Sequence, residues 1–235
     1  MSPILQQAKH MLRASLALIL FGVAFGYVEA AVVVYLRHIS EPLRLALYPG
    51  RASSDLFPLI PIGQLSPAHV RLLIVEIGRE AATLLMLAGA GLLAARQRGQ
   101  WIAGFAIAFG VWDISFYLFL KLFLDWPASL LTWDILFLIP VPWVGPVLAP
   151  VIISAALTVC GFLVLTRDWE GRQIDATLGH WAGLTGGALL VIASFTWDYR
   201  ALTGGASPEH FNWALFLAGL FTGIGTFVHA WWRRS

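Results

Sequence analysis

The chain has 235 residues, of which 59% are hydrophobic and only 12% charged, about half the charged share of an ordinary soluble domain. That balance excludes a water-soluble globule. The 15 basic and 13 acidic residues leave a net charge of +2 and form no basic stripe, which excludes a nucleic-acid partner. The expected fold class is all-α: one polytopic membrane domain over residues 1–235, a bundle of about six transmembrane helices embedded in a lipid bilayer.

A hydrocarbon core roughly 30 Å thick takes about 20 apolar residues per helix. Lys9 and Arg13 precede an apolar run that continues to Leu36, too long for a cleaved leader, so the first span is set at 14–36. Residues 37–68 carry Pro42, Pro49, Pro58, Pro61 and Pro67 around an apolar tract from Leu56 to Ile62, which suits an outer loop or lid. Spans two and three are expected at 70–95 and 101–124.

The stretch TWDILFLIPVPWVGPVLAP at 132–150 then interrupts an apolar run with Pro140, Pro142, Pro146 and Pro150. A Pro-broken re-entrant or interfacial segment near 132–146 is expected; a proline-kinked entry to the fourth span is the alternative. Irregular backbone at membrane depth needs protein or water around it, and broken helices mark binding sites in many carriers. The remaining spans fall at 145–165, 181–199 and 211–231.

Lys9, Arg13, Arg96, Arg98, Arg167, Arg172, Arg233 and Arg234 fall on one side of this topology. Their concentration in short loops places both termini in the cytoplasm, as expected for the inner membrane of a prokaryote. Trp101, Trp126, Trp143, Trp181, Trp197, Trp213, Trp231 and Trp232 lie near span ends, where an amphipathic indole prefers to sit. The pairs Gly22/Gly26, Gly183/Gly187 and Gly219/Gly223 give faces on which helices approach closely, read as packing inside the bundle. Cys160, the single cysteine, offers neither a disulfide nor a thiolate cluster.

The second span, HVRLLIVEIGREAATLLML, is apolar except along one face. At 100° per residue His69, Glu76, Arg79, Glu80 and Thr83 share an arc of about 100°. Each ion facing lipid at a helix centre costs on the order of 2.5–3.5 kcal/mol, so this face turns into the bundle. Glu29 on the first span and Asp113 on the third lie at comparable depths, with Tyr117 one turn from Asp113. Glu29, Glu76, Arg79, Glu80, Asp113 and Tyr117 are thus the expected proton or substrate site. Glu76 and Glu80 are the proton carriers or ligands, Asp113 and Glu29 the opposing wall, and Arg79 the counter-charge, paired with a glutamate at one-turn spacing.

Crowded carboxylates in low dielectric hold protons or a bound cation. A metal ion held by Glu76 and Glu80 with His69 or His210 is chemically sensible, since imidazole and carboxylate suit iron, manganese or zinc. Haem is the weaker cofactor reading of the histidines at both sets of span ends, His38, His69 and His210 on one side and His10, His180 and His229 on the other. The partners these residues imply are a small cation, a proton or a lipophilic substrate.

Three functions fit the sequence. The first is a transporter whose outer-half carboxylate pocket binds a cation or exchanges protons, with 132–146 as gate. The second is a membrane-embedded enzyme acting on a lipid or isoprenoid, drawn from the Trp-Asp pairs Trp112-Asp113, Trp133-Asp134 and Trp197-Asp198. The third is an assembly subunit of a membrane complex.

Overall fold

A computed structural model describes residues 3–47, 49–50, 66–96, 99–172, 174–204 and 209–233. In chain order the elements are α1 (Pro3–Leu47), α2 (Pro67–Ala94), α3 (Gln100–Leu124), β1 (Trp133–Phe137), β2 (Trp143–Pro146), α4 (Leu148–Trp169), α5 (Leu178–Phe195), the short α6 (Tyr199–Thr203) and α7 (Trp213–Trp232). The all-α membrane bundle is therefore the fold, with one small two-stranded sheet set into it. Five helices, α1, α3, α4, α5 and α7, are long and apolar enough to cross a membrane. The remaining long helix, α2, has 28 residues, about 42 Å at 1.5 Å per residue, and is less apolar because it carries the charged face.

The bundle is apolar on the outside. Leu85, Leu93, Leu122, Leu178 and Phe221 are all exposed, whereas Glu29, Glu80 and Asp113 are 5%, 5% and 7% exposed. Exposed apolar surface of this extent belongs against lipid.

Small residues set which helices touch. A Cβ built on Gly22 would lie 2.8 Å from Val111 Cγ1, and one on Gly26 2.8 Å from Ser115 Cβ, so α1 lies directly on α3. A Cβ on Gly110 would collide with Thr158 Oγ1 and the Ser154 carbonyl, so α3 and α4 approach backbone to backbone. Gly187 faces the Gly219 carbonyl and the Gly223 amide, which seals α5 on α7. Gly22, Gly26, Gly183, Gly187 and Gly219 of the three pairs read from the sequence thus face neighbouring helices of the same chain, and Gly223 meets Gly187 through its backbone. The α5–α7 pair joins the rest through α4 and β2.

The Pro-broken segment expected near 132–146 is a β-hairpin. Antiparallel pairs run Trp133↔Pro146, Asp134↔Gly145, Ile135↔Val144 and Phe137↔Trp143, with a register shift between Ile135 and Phe137. Val147 N–H and Leu148 N–H donate to the Thr132 and Leu130 carbonyls at 3.0 and 2.7 Å, closing its base. Prolines 140 and 142 cannot donate to a helix ladder, and a hairpin tip is where that loss matters least. Asp134 to Phe137 advances about 10 Å at 3.4 Å per residue. The Phe137 ring reaches Trp112 near the middle of α3, centroids 6.4 Å apart, so the hairpin penetrates the bundle. Gly145 lets it fit, because a Cβ there would strike the Phe195 ring at 2.8 Å.

Other boundaries move. The expected lid at 37–68 gives residues 37–47 to α1, which carries Pro42 inside the helix, and residues 67–68 to α2; residues 51–65 lie outside the described residues. The helix former run Leu-Arg-Leu-Ala-Leu at 43–47 favours continuation past the proline. The expected span 181–199 becomes α5 followed by α6. Trp101, Trp181, Trp197 and Trp232 are exposed as belt residues would be, but Trp126 is buried at 2%, beneath the Arg37 guanidinium 4.5 Å from its ring centroid.

Candidate functional site

The charged face of α2 turns into the bundle and divides into two parts. Arg79 is the centre of the first. Its Nε donates to Glu76 Oε2 at 2.9 Å and its Nη2 to Glu76 Oε1 at 2.5 Å, while Nη1 donates to Glu29 Oε2 on α1. Thr83, one turn along α2, donates to the other Glu29 oxygen at 2.9 Å. A bidentate guanidinium–carboxylate pair is among the stronger arrangements a side chain can make. Here it ties α1 to α2.

Glu80 belongs to the second part. Its Oε2 accepts the backbone N–H of Leu138 at 2.8 Å, immediately beyond β1, and the Ile139 N–H also points at this carboxylate. An amide outside a ladder needs an acceptor, and the Glu80 carboxylate, itself buried, supplies one. The expected pairing of Arg79 with a glutamate at one-turn spacing is met by Glu76, while Glu80 serves the hairpin.

Asp113 on α3 faces α4, where Ser154 Oγ donates to its Oδ2 at 2.8 Å; Ser154 is itself buried at 1%. Tyr117, expected one turn from Asp113, donates to Asp134 Oδ2 of β1 at 2.9 Å, and Asp134 Oδ1 accepts the Ile135 N–H at 2.9 Å. The two aspartates are close enough to repel one another, and Tyr117 lies in the field of both. Arg37 of α1 faces Asp134 as a partial counter-charge.

The structure thus places Glu29, Glu76 and Arg79 in one knot and Asp113 and Tyr117 near Asp134 of the hairpin, with Glu80 between them: it accepts from Leu138 and lies in the field of Arg79 and Glu76. Glu29, Glu80 and Asp113 each have a separate donor: Arg79, the Leu138 amide and Ser154. Around them stand 5 carboxylates, Glu29, Glu76, Glu80, Asp113 and Asp134, against 2 guanidiniums, Arg37 and Arg79. The formal balance is three negative charges in excess when all are ionised.

The four residues expected as metal ligands are not assembled. His69 sits at the start of α2, its Nδ1 2.6 Å from Ser66 Oγ, and seven residues, about 10 Å along the axis, separate it from Glu76. His210 precedes α7 and lines a small cleft with Trp133, Ser194 and Asp198. Among the described residues no three of His, Cys, Asp and Glu come together as a group able to hold a metal ion.

Sequence reading put Thr83 on the inward face of α2 but missed Asp134, Arg37 and Ser154 as members of the network. Asp134 was visible only as one of three Trp-Asp pairs, and a strand rather than a helix is what aims it inward. Comparison with protein-family models, with curated proteins and with solved structures found no match for this chain.

Proposed function

We propose that this chain is a small multi-pass membrane transporter whose interior acids exchange protons. One observation carries the reading: Tyr117 donates to Asp134 on the hairpin and lies in the field of both Asp134 and Asp113, in a cluster whose acids outnumber its bases. Excess negative charge in low dielectric is relieved by taking up a proton or a cation, and interior ionisable residues of membrane proteins serve ion and proton pathways.

The two parts have different tasks in this account. Arg79, Glu29 and Glu76 form the strut that holds α1 on α2. Asp113, Asp134, Tyr117 and Glu80 form the exchange centre, and the hairpin is the movable wall, since it is held by hydrogen bonds to side chains of α2 and α3.

The test is proton movement in proteoliposomes carrying a lumenal pH dye, with a potassium diffusion potential as driving force. The native chain acidifies or alkalises the lumen according to the sign of the potential. Asp113→Asn and Asp134→Asn each lose that movement while eluting as folded particles. Unchanged rates in both variants would refute the proposal.

A second reading, an enzyme acting on a lipid or isoprenoid, draws on Trp112. Its buried indole N–H has no acceptor, and the rings of Phe25, Phe109, Phe116 and Phe137 surround it. Mass spectrometry of lipids extracted after incubation with the purified protein checks this reading, which fails if no lipid or isoprenoid is altered.

A further inference from the structure

At the end of the bundle away from the hairpin, two histidines meet that the proposed exchange centre does not use. His180 is the third residue of α5 and is 4% exposed. His229 stands in the last turn of α7 and is exposed. His180 Nε2 lies 2.9 Å from His229 Nδ1, with the ring centroids 5.1 Å apart. They close the end of the α5–α7 seam, one turn beyond the contact of Gly183 with Thr226.

The hydrogen bonds fix which nitrogen carries each proton. The Thr177 backbone N–H, which can only donate, points at His180 Nδ1 from 3.0 Å. That nitrogen is therefore bare, and the ring hydrogen of neutral His180 sits on Nε2, which donates to His229 Nδ1. His229 in turn carries its hydrogen on Nε2. The arrangement excludes a metal between the rings: a ligating imidazole normally donates its other nitrogen to an acceptor, whereas His180 Nδ1 accepts. Direct contact at 2.9 Å also leaves no room for a haem plane between the two rings.

Every inward lone pair of the pair is consequently in use. His180 Nδ1 also lies 2.9 Å from Thr177 Oγ1, which could accept from it, but a proton added to Nδ1 opposes the Thr177 N–H and breaks that half of the capping box. A proton added to His229 Nδ1 sets N–H against N–H and breaks the bond between the helices. The helix dipoles choose between these, because a positive charge is disfavoured at the N-terminus of α5 and favoured at the C-terminus of α7.

We propose that His180 and His229 form a proton-released clamp between α5 and α7, in which a proton gained by His229 turns its ring away and frees that end of the seam. This goes beyond the exchange reading and does not depend on it. The charged groups around the pair are few. α5 and α7 carry none besides the two histidines, and β2 carries none. From α4, Arg167 bonds the Trp231 carbonyl at 2.8 Å and Asp168 is held by Gln100 at 2.5 Å. Arg233 caps α7, and Asp175 lies two residues before the α5 cap. Imidazole is the side chain whose ordinary change of charge falls between about pH 5 and 8, and the exposed His229 is the ring that solvent reaches. The same α5 ends at Phe195, which stacks on Trp143 of the hairpin with centroids 6.3 Å apart.

The experiment places spin labels at Leu178→Cys and Val228→Cys, both exposed positions beside the pair, in a Cys160→Ser background in lipid nanodiscs, and reads their distance distribution at pH 8 and pH 5.5. The expected result is one narrow distance at pH 8 and a longer, broader one at pH 5.5. His229→Asn, whose amide oxygen still accepts from His180 but takes up no proton, stays narrow at both pH values; His229→Ala is broad at both. A native distance unaffected by pH, or a His229→Asn variant that opens on acidification, would overturn the clamp. Proton movement in proteoliposomes is a separate measurement, so failure of either idea is distinguishable from failure of the other.

Discussion

Replacing Arg79 by glutamine tests whether the α1–α2 strut is held by charge. Arg79 makes two hydrogen bonds to Glu76 and one to Glu29, and Glu29 is 5% exposed. Glutamine is shorter and neutral, so Glu29 keeps only Thr83 as donor and two carboxylates lose their counter-charge together. Removing one partner of a buried ion pair costs about 3–5 kcal/mol. For a chain of this size each kcal/mol moves the apparent Tm by about 2–4 °C, so Arg79→Gln lowers it by roughly 6–20 °C. Glu29→Gln, which leaves Arg79 paired with Glu76 and retains an acceptor for Thr83, costs less, about 1–3 kcal/mol. The double variant Arg79→Gln/Glu29→Gln recovers much of the single-variant loss, because it no longer buries an unpaired carboxylate on α1. Intrinsic tryptophan fluorescence during heating in detergent reads all three. An Arg79→Gln protein melting within 2 °C of the native chain, or a double variant less stable than the sum of the singles, would refute the reasoning.

Other expectations follow from the same contacts. Gly110→Ala forces a methyl into Ser154 O and Thr158 Oγ1 and destabilises the α3–α4 contact by about 1–3 kcal/mol or more, whereas Gly78→Ala, with nothing within 4 Å of its Cβ, stabilises α2 by about 0.5–1 kcal/mol; paired thermal melts check both signs. Glu80→Gln loses the charged acceptor at the hairpin tip, so hydrogen exchange at Leu138 accelerates by about tenfold, the equivalent of about 1.4 kcal/mol, while exchange along α5 is unchanged. Tyr117→Phe removes the donor to Asp134 and costs about 1–3 kcal/mol, with proton movement falling more than stability does, as comparison of liposome rates with the melt of the same preparation shows.

The apolar runs made the bundle legible because a span of about 20 residues leaves a period no soluble fold imitates. The charged face of α2 was equally legible, since ions on an apolar helix have only one affordable direction in a bilayer. The hairpin was not. Its apolar residues Ile135, Leu136 and Phe137 resemble those of a helix, and only the prolines signalled that the helix ladder fails there. What makes the segment a hairpin is non-local: Glu80 at its tip, Tyr117 on Asp134 and the space left by Gly145 beside Phe195. The grouping of the acids depended on that same unseen element. Counting residues along each helix gives depth but no azimuth, and Glu29, Glu80 and Asp113 each found its own donor on a different element. His180 and His229 were visible as residues at span ends; their meeting needed the pairing of α5 with α7 through glycine faces.

The division of the interior acids into a strut and an exchange centre is tested most directly by carbodiimide labelling in native-like lipid, since a hydrophobic carbodiimide modifies only a carboxyl group that holds a proton. Peptide mass spectrometry after labelling at neutral pH is predicted to find the adduct on Asp113, Asp134 or Glu80 and to find Glu29 and Glu76, locked on Arg79, unmodified. Adducts confined to Glu29 or Glu76, or none on any of the five acids, would contradict the account.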